Sequence, residues 1–107
     1  MGKDFQNRIN DFLIQGIDRY EFLNTADIIK IISALRKLGR FEEAIELYQK
    51  YETDLQDTDV YSVALSNIIM VCNECNNVIL LIKYAKQLKA IYPDHPFVLN
   101  ASKHQNI

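Results

Sequence analysis

The run Leu38-Gly39-Arg40-Phe41-Glu42-Glu43-Ala44-Ile45-Glu46-Leu47-Tyr48 constrains this chain more than any other, because it joins a helix stop directly to an amphipathic helix start. Gly39 accepts the left-handed backbone that ends helices. Beyond it Phe41, Ala44, Ile45 and Tyr48 recur at three- and four-residue steps on one helical face. A small Ala44 at the centre of that face lets a second helix approach closely, and the aromatic residues seal the gap on either side. The run therefore predicts the turn and second helix of a helix-turn-helix unit.

The rest of the chain also reads as helix. Gly and Pro number three and two and act as punctuation, and no alternating strand pattern persists. Over residues 4–23, Phe5, Ile9, Phe12, Leu13, Ile17 and Tyr20 form one stripe of an amphipathic helix. Gly16 within it is either a close-packing point or a break between two short helices. Asn24-Thr25-Ala26-Asp27 is a helix start, with a capping side chain and an acid in the first turn. In the helix that follows, to Leu38, the residues Ile28, Ile29, Ile31, Ile32, Ala34 and Leu35 wrap most of the circumference, which predicts packing on more than one side. The helix from Phe41 to about Leu55 has a wet face on which Glu46 and Lys50 are spaced as an i,i+4 ion pair. Residues 60–75 are almost uniformly apolar, Asn76-Asn77 supplies a turn, and residues 78–92 are amphipathic again. Pro93-Asp94-His95-Pro96 stops that helix, and Pro96 suits the first turn of a short last one over 96–104.

The two central helix pairs repeat. With residues 25–56 laid on 62–93, an offset of 37, Ile28 meets Leu65, Ile31 and Ile32 meet Ile68 and Ile69, and Leu35 meets Cys72. Gly39 meets Asn76, Phe41 meets Val78, Ala44 meets Leu81, Tyr48 meets Ala85 and Tyr51 meets Leu88. Apolar falls on apolar and turn former on turn former, which is the signature of stacked helix pairs.

On these residues the chain resembles the tetratricopeptide repeat (TPR) superfamily over residues 25–93. The 38–48 run is similar to that family's turn and second helix, and Pro93 stands where its repeat-ending proline belongs. The small residue usual in the family's first helix is replaced by Ile32 and Ile69, the later Ala of its second helix by Tyr51 and Leu88, and the first repeat ends in Gln56 instead of Pro. Asn67-Ile68-Ile69, Ala85-Lys86-Gln87-Leu88-Lys89 and His95-Pro96-Phe97-Val98 resemble the end of the epsilon subunit of coatomer. Gly39-Arg40-Phe41-Glu42-Glu43-Ala44 through Asn67-Ile68-Ile69 is similar to the TPR-bearing subunit of the signal recognition particle. The resemblance implies an all-α, right-handed TPR-like array of helical hairpins, with five to six helices. It would form one domain over 1–107: an N-terminal helix at 4–23, repeats at 25–56 and 60–93, and a last helix at 96–104.

Composition narrows the function classes. The net charge is −2, from 12 Lys and Arg against 14 Asp and Glu, so nothing attracts phosphates in bulk and nucleic acid is not an expected partner. No apolar run reaches the length of a membrane span, because Lys83 and Lys86 interrupt the longest. The leading residues lack a signal-peptide core, and Gln6 stands where myristoylation wants Ser or Thr. The expectation is a cytoplasmic protein or a cytoplasmic piece of one.

Little in the chain suggests chemistry. Cys72-Asn73-Glu74-Cys75 has redox and zinc spacing. A structural zinc needs four ligands, though, and Cys72 sits at a core position of the repeat, so small packed thiols are expected and no metal or cofactor. His95 reads as a helix cap or a solvent-facing residue, and His104 as part of a frayed tail. Glu42, Glu43 and Glu46 read as a wet face, and Lys83, Lys86, Lys89 and Lys103 as a mildly basic stripe. No catalytic residue is expected.

The TPR resemblance implies a concave face exposing Ile29, Ser33, Arg36 and Lys37 from the first repeat and Ser66, Met70, Asn73 and Glu74 from the second. Relatives that grip acidic C-terminal tails place Lys and Asn at inner positions where Ile29 and Ser33 stand here, which argues against such a carboxylate clamp. An apolar groove edged by Arg36 and Lys37 suits an amphipathic helix or an extended segment. The expected function is a non-catalytic protein–protein interaction module (adaptor, chaperone or assembly subunit) that binds a peptide or helix. The alternative is a self-associating subunit of a larger complex, such as a trafficking coat or secretion-related assembly. In that case the homo-oligomer would form through Phe97, Val98 and Leu99 at the C-terminal end, because solenoid ends need polar caps.

Overall fold

The structure, a computed structural model, describes residues 2–104 and 107; the side chains of residues 1–4 and 104–106, His104 among them, lie outside the described residues. Among the described residues there are six α-helices and no strand: α1 Gly2–Gln15, α2 Thr25–Lys37, α3 Phe41–Gln56, α4 Tyr61–Glu74, α5 Val78–Ile91 and α6 Pro96–His104.

The turns explain the helix boundaries. Gly39 has φ +75° and Asn76 φ +59°. After each, the same two hydrogen bonds close the helix. Gly39 N–H donates to Arg36 O at 3.0 Å and Arg40 N–H to Leu35 O at 2.9 Å; Asn76 N–H donates to Asn73 O at 3.3 Å and Asn77 N–H to Cys72 O at 2.9 Å. These are paired Schellman stops, Gly in one and Asn in the other, at the 37-residue offset of the sequence alignment. Starts are capped as well. Asn24 Oδ1 accepts from Asp27 N–H at 2.9 Å, Asn77 Oδ1 from Leu80 N–H at 3.2 Å, and His95 Nδ1 from Phe97 N–H at 3.0 Å. A Cβ added to Gly39 would meet nothing within 4 Å, so its replacement strains the backbone alone. Gly39→Ala is expected to cost about 1 kcal/mol of stability, measured as a lower urea midpoint; an unchanged midpoint would deny the left-handed stop its role.

Helices α2 and α3 form one hairpin and α4 and α5 a second; α4 also packs on both α2 and α3, and α6 closes against α5. That placement buries α2 and α4 on two sides. Ile31, Ile32 and Leu35 of α2 are fully enclosed, as are Leu65, Ile68, Val71 and Cys72 of α4. Ala44 is fully buried where close approach was expected, beside the enclosed Leu47 and Tyr48. The second hairpin is more open at its outer helix. Val78 is exposed and Leu81 half-buried, because beyond α4 this part of α5 is covered mainly by the nine-residue α6.

Two expectations from the sequence are corrected. The first helix does not continue to residue 23. Gly16 at φ +86° takes its amide to Phe12 O at 2.8 Å and ends α1 at Gln15. Ile17 and Tyr20 keep the helical spacing, but they and Phe22 reach the core from the segment after the helix. There Tyr20 and Phe22 pack edge-on at 4.9 Å, and Phe22 meets Tyr51 of α3 at 5.1 Å. Nor does Lys50 pair with Glu46. Its Nζ crosses to Asp18 Oδ1 at 2.9 Å and Ile17 O at 3.3 Å, tying the turn after α1 to α3.

Helix α1 is also held by a partly buried ion pair. Arg8 Nε donates to Asp27 Oδ1 at 3.3 Å, and Nη2 donates to Oδ2. Asp27 Oδ2 also accepts from Leu23 N–H at 3.0 Å, and the Arg8 guanidinium lies 5.3 Å from the Tyr20 ring centroid. One carboxylate thus joins α1, the connecting turn and the start of α2.

Candidate functional site

The concave-face residues do not form one continuous surface. Arg36 of α2 reaches Glu74 of α4, with Nη1 donating to both carboxylate oxygens at 3.1 Å. This pair links α2 to α4, and two apolar clefts that share no lining residue involve the same two helices. One, of about 600 Å³, lies between α1 and α2 and includes Ser33 and Lys37 with Phe5, Ile9, Lys30, Ala34 and Leu38. The other, of about 270 Å³, lies among α4, the start of α5 and α6; it includes Met70 and Asn73 with Ile69, Asn76, Phe97 and Asn100.

Four of the expected concave residues line neither cleft: Arg36 and Glu74, which pair with each other, and Ile29 and Ser66. Ile29 was expected at an open groove but is 8% exposed and part of the core, with Phe12 and Tyr20 in the same cluster. Ser66 is half-buried and donates its hydroxyl to Val63 O at 2.8 Å, one turn back on its own helix. The expected C-terminal face is corrected too. Val98 is 1% exposed and packs into the protein's own core, and Phe97 is half-buried against it; of the three, only Leu99 is open. A helix laid on α5 must turn one side inward, and Val98 with Ala101 is that side.

The lining residues missed by sequence reasoning had a legible signal in one cleft and none in the other. Lys30, Ser33, Ala34, Lys37 and Leu38 stand at i, i+3, i+4, i+7 and i+8, one face of α2. The joining of Asn73, Asn76 and Asn100 depends on how α6 folds back, which no local pattern encodes.

Elsewhere the polar side chains are quiet. The Cys72 thiol is buried, and burial, with Cys75 adding to it, pushes its pKa from 9.0 up to about 12. That is the reverse of an activated nucleophile. Cys75 Sγ donates weakly to Cys72 O at 3.7 Å. No group of three or more His, Cys, Asp or Glu is placed to hold a metal ion among the described residues. His95 is engaged as the α6 cap, with its ring edge-on to Phe97 at 5.1 Å. Among the described residues no helix is long and apolar enough to cross a membrane.

Burial also raises the phenol pKa values of Tyr20, Tyr48 and Tyr84. All four groups are neutral acids whose proton is held more tightly in the fold. Above the ordinary thiol and phenol values the unfolded chain therefore binds fewer protons than the folded one, and stability falls as pH rises. The melting temperature is expected to hold up to about pH 9 and then fall steadily. A flat profile to about pH 11 would show these groups to be solvated.

No family model, curated protein or solved structure matches this chain.

Proposed function

We propose that this chain is a TPR-like pair of helical hairpins acting as a non-catalytic protein–protein interaction module, with a helix or peptide of a partner protein as its ligand. The observation that carries this reading is the pair of apolar clefts along α2 and α4, each open to solvent. The repeated Schellman stops and the matched burial of Ile31 with Ile68 and Leu35 with Cys72 support the repeat architecture. The cytoplasm fits two unpaired thiols as compartment. Self-association is the second reading, favoured by Ile79 at 82% exposure and Leu99 at 49% near the α5–α6 end. Light scattering over a wide concentration range separates it, a strict monomer counting against it.

A photo-crosslinking amino acid placed at Ser33, at Met70 and, as a control, at the exposed Glu42 tests the module. Ser33 or Met70 should capture a discrete partner that Glu42 does not. Equal background capture at all three positions would remove the reading.

A further inference from the structure

The cleft between α1 and α2 has a charge pattern that selects its occupant. Ser33 and Ala34 make a small-residue floor, Phe5 and Ile9 of α1 stand on one side, and Lys30 and Lys37 rise from α2. Both lysines are exposed, and among the described residues neither makes an ion pair. Among the described residues no carboxylate lines the cleft. Seven residues apart at a rise of 1.5 Å, the two lysines are spaced about 10 Å along the helix axis. Among the described residues the α4–α6 cleft has no such cations; its polar groups there are the neutral amides of Asn73, Asn76 and Asn100.

The form of the occupant follows from the walls. Both are helices, whose mid-helix amides and carbonyls are already paired, so an extended segment would gain no backbone hydrogen bonds there. A helix keeps its own hydrogen bonds and can set a ridge of side chains over the small Ser33–Ala34 floor, as ridges fill grooves between packed helices. The molecule contains the same relation once already, where α2 rests on both α3 and α4.

We propose that this cleft takes one amphipathic α-helix of a partner protein, with acidic residues two turns apart meeting Lys30 and Lys37 and apolar residues between them on the floor. This rests on the interaction-module reading and specifies its ligand.

Two synthetic helical peptides of roughly 18 residues, long enough to hold helix in water, share one Leu/Ala stripe and carry either Glu or Lys at two positions seven apart. Each is titrated into the 15N-labelled full chain. The Glu peptide is expected to shift amides of α1 and α2 and to bind about tenfold or more tightly than the Lys peptide. A Lys30→Glu/Lys37→Glu double variant, surface changes that leave the circular dichroism spectrum unaltered, is expected to reverse that preference. Equal binding of both peptides, no shifts with either, or a preference the double variant leaves in place overturns the proposal. So do shifts confined to Asn73, Asn76 and Asn100. Shifts in that second cleft would leave the module reading standing, whereas loss of crosslinking at both Ser33 and Met70 would remove the reading itself. Binding of the chain to phosphatidylserine vesicles without response to the Glu peptide would assign the lysines to a lipid surface and also overturn the proposal.

Discussion

Tyr48→Ala is expected to destabilise the fold by about 4 kcal/mol, whereas Tyr48→Phe is expected to change stability by less than about 0.5 kcal/mol or to raise it. The ring is fully enclosed and packs edge-on against Tyr84 at 5.0 Å, so it joins α3 of the first hairpin to α5 of the second. Removing it opens a cavity between the hairpins, which other side chains fill only partly. The hydroxyl is a different matter. It is buried without a hydrogen-bond partner, as is that of Tyr84, while the nearby Tyr61 hydroxyl donates to Gln87 Oε1 at 3.2 Å. A buried hydroxyl that lost its water and gained no partner opposes folding, so deleting it removes an unfavourable contribution. Urea unfolding of both variants decides the matter. A loss of about 1 kcal/mol or more in Tyr48→Phe would mean the hydroxyl is satisfied, by an internal water or a neighbour. With total stabilities of such domains near 5–15 kcal/mol, the Ala variant should also be visibly less folded at 37 °C, about physiological temperature.

Asp27→Ala is expected to lose about 3 kcal/mol and to loosen α1 before the rest. Asp27 is 5% exposed, so the carboxylate is out of water and depends on its partners; the Arg8 side chain retains 28% of its exposure, which moderates the cost of leaving it alone. The substitution removes the Arg8 ion pair and the acceptor for Leu23 N–H together. Arg8→Ala should cost at least as much, because it strands the more deeply buried member. Hydrogen exchange is the informative measurement. Amides of α1 should exchange faster in either variant while those of α4 and α5 keep their protection. A double-mutant cycle with a coupling below about 0.5 kcal/mol would show that α1 is held by its aromatic contacts alone.

These two sites mark where sequence reasoning reached and where it stopped. Helices α2 to α5 were legible because the amphipathic period of α3 and α5 and the apolar runs of α2 and α4 are local patterns, and because α2 and α4 end at Gly39 and Asn76, stops that a local backbone preference explains. The end of α1 was left open between two readings of Gly16, because Ile17 and Tyr20 continue the same spacing beyond it. Periodicity records which residues face inward, not which backbone presents them. The Lys50–Asp18 pair was hidden for a related reason. Glu46 offers an equivalent local charge, and the choice between them depends on the turn after α1 reaching α3.

The site divides along the same line. Ser33 and Lys37, and likewise Met70 and Asn73, were implied by the repeat resemblance and do line clefts. That Ile29 is enclosed, and that Arg36 and Glu74 pair between α2 and α4, are consequences of how the helices pack.

The sequence by itself determined an all-helical chain with two matched central hairpins, because helix period and stop chemistry are local properties of neighbouring residues. The tertiary structure alone decided that Asp27 anchors α1, that Tyr48 joins the hairpins, that Val98 turns inward and that Ser33 and Lys37 line one cleft while Met70 and Asn73 line another. Each of these depends on residues far apart in the chain being brought into contact, where burial and ion-pair geometry select one partner among several with the same local pattern.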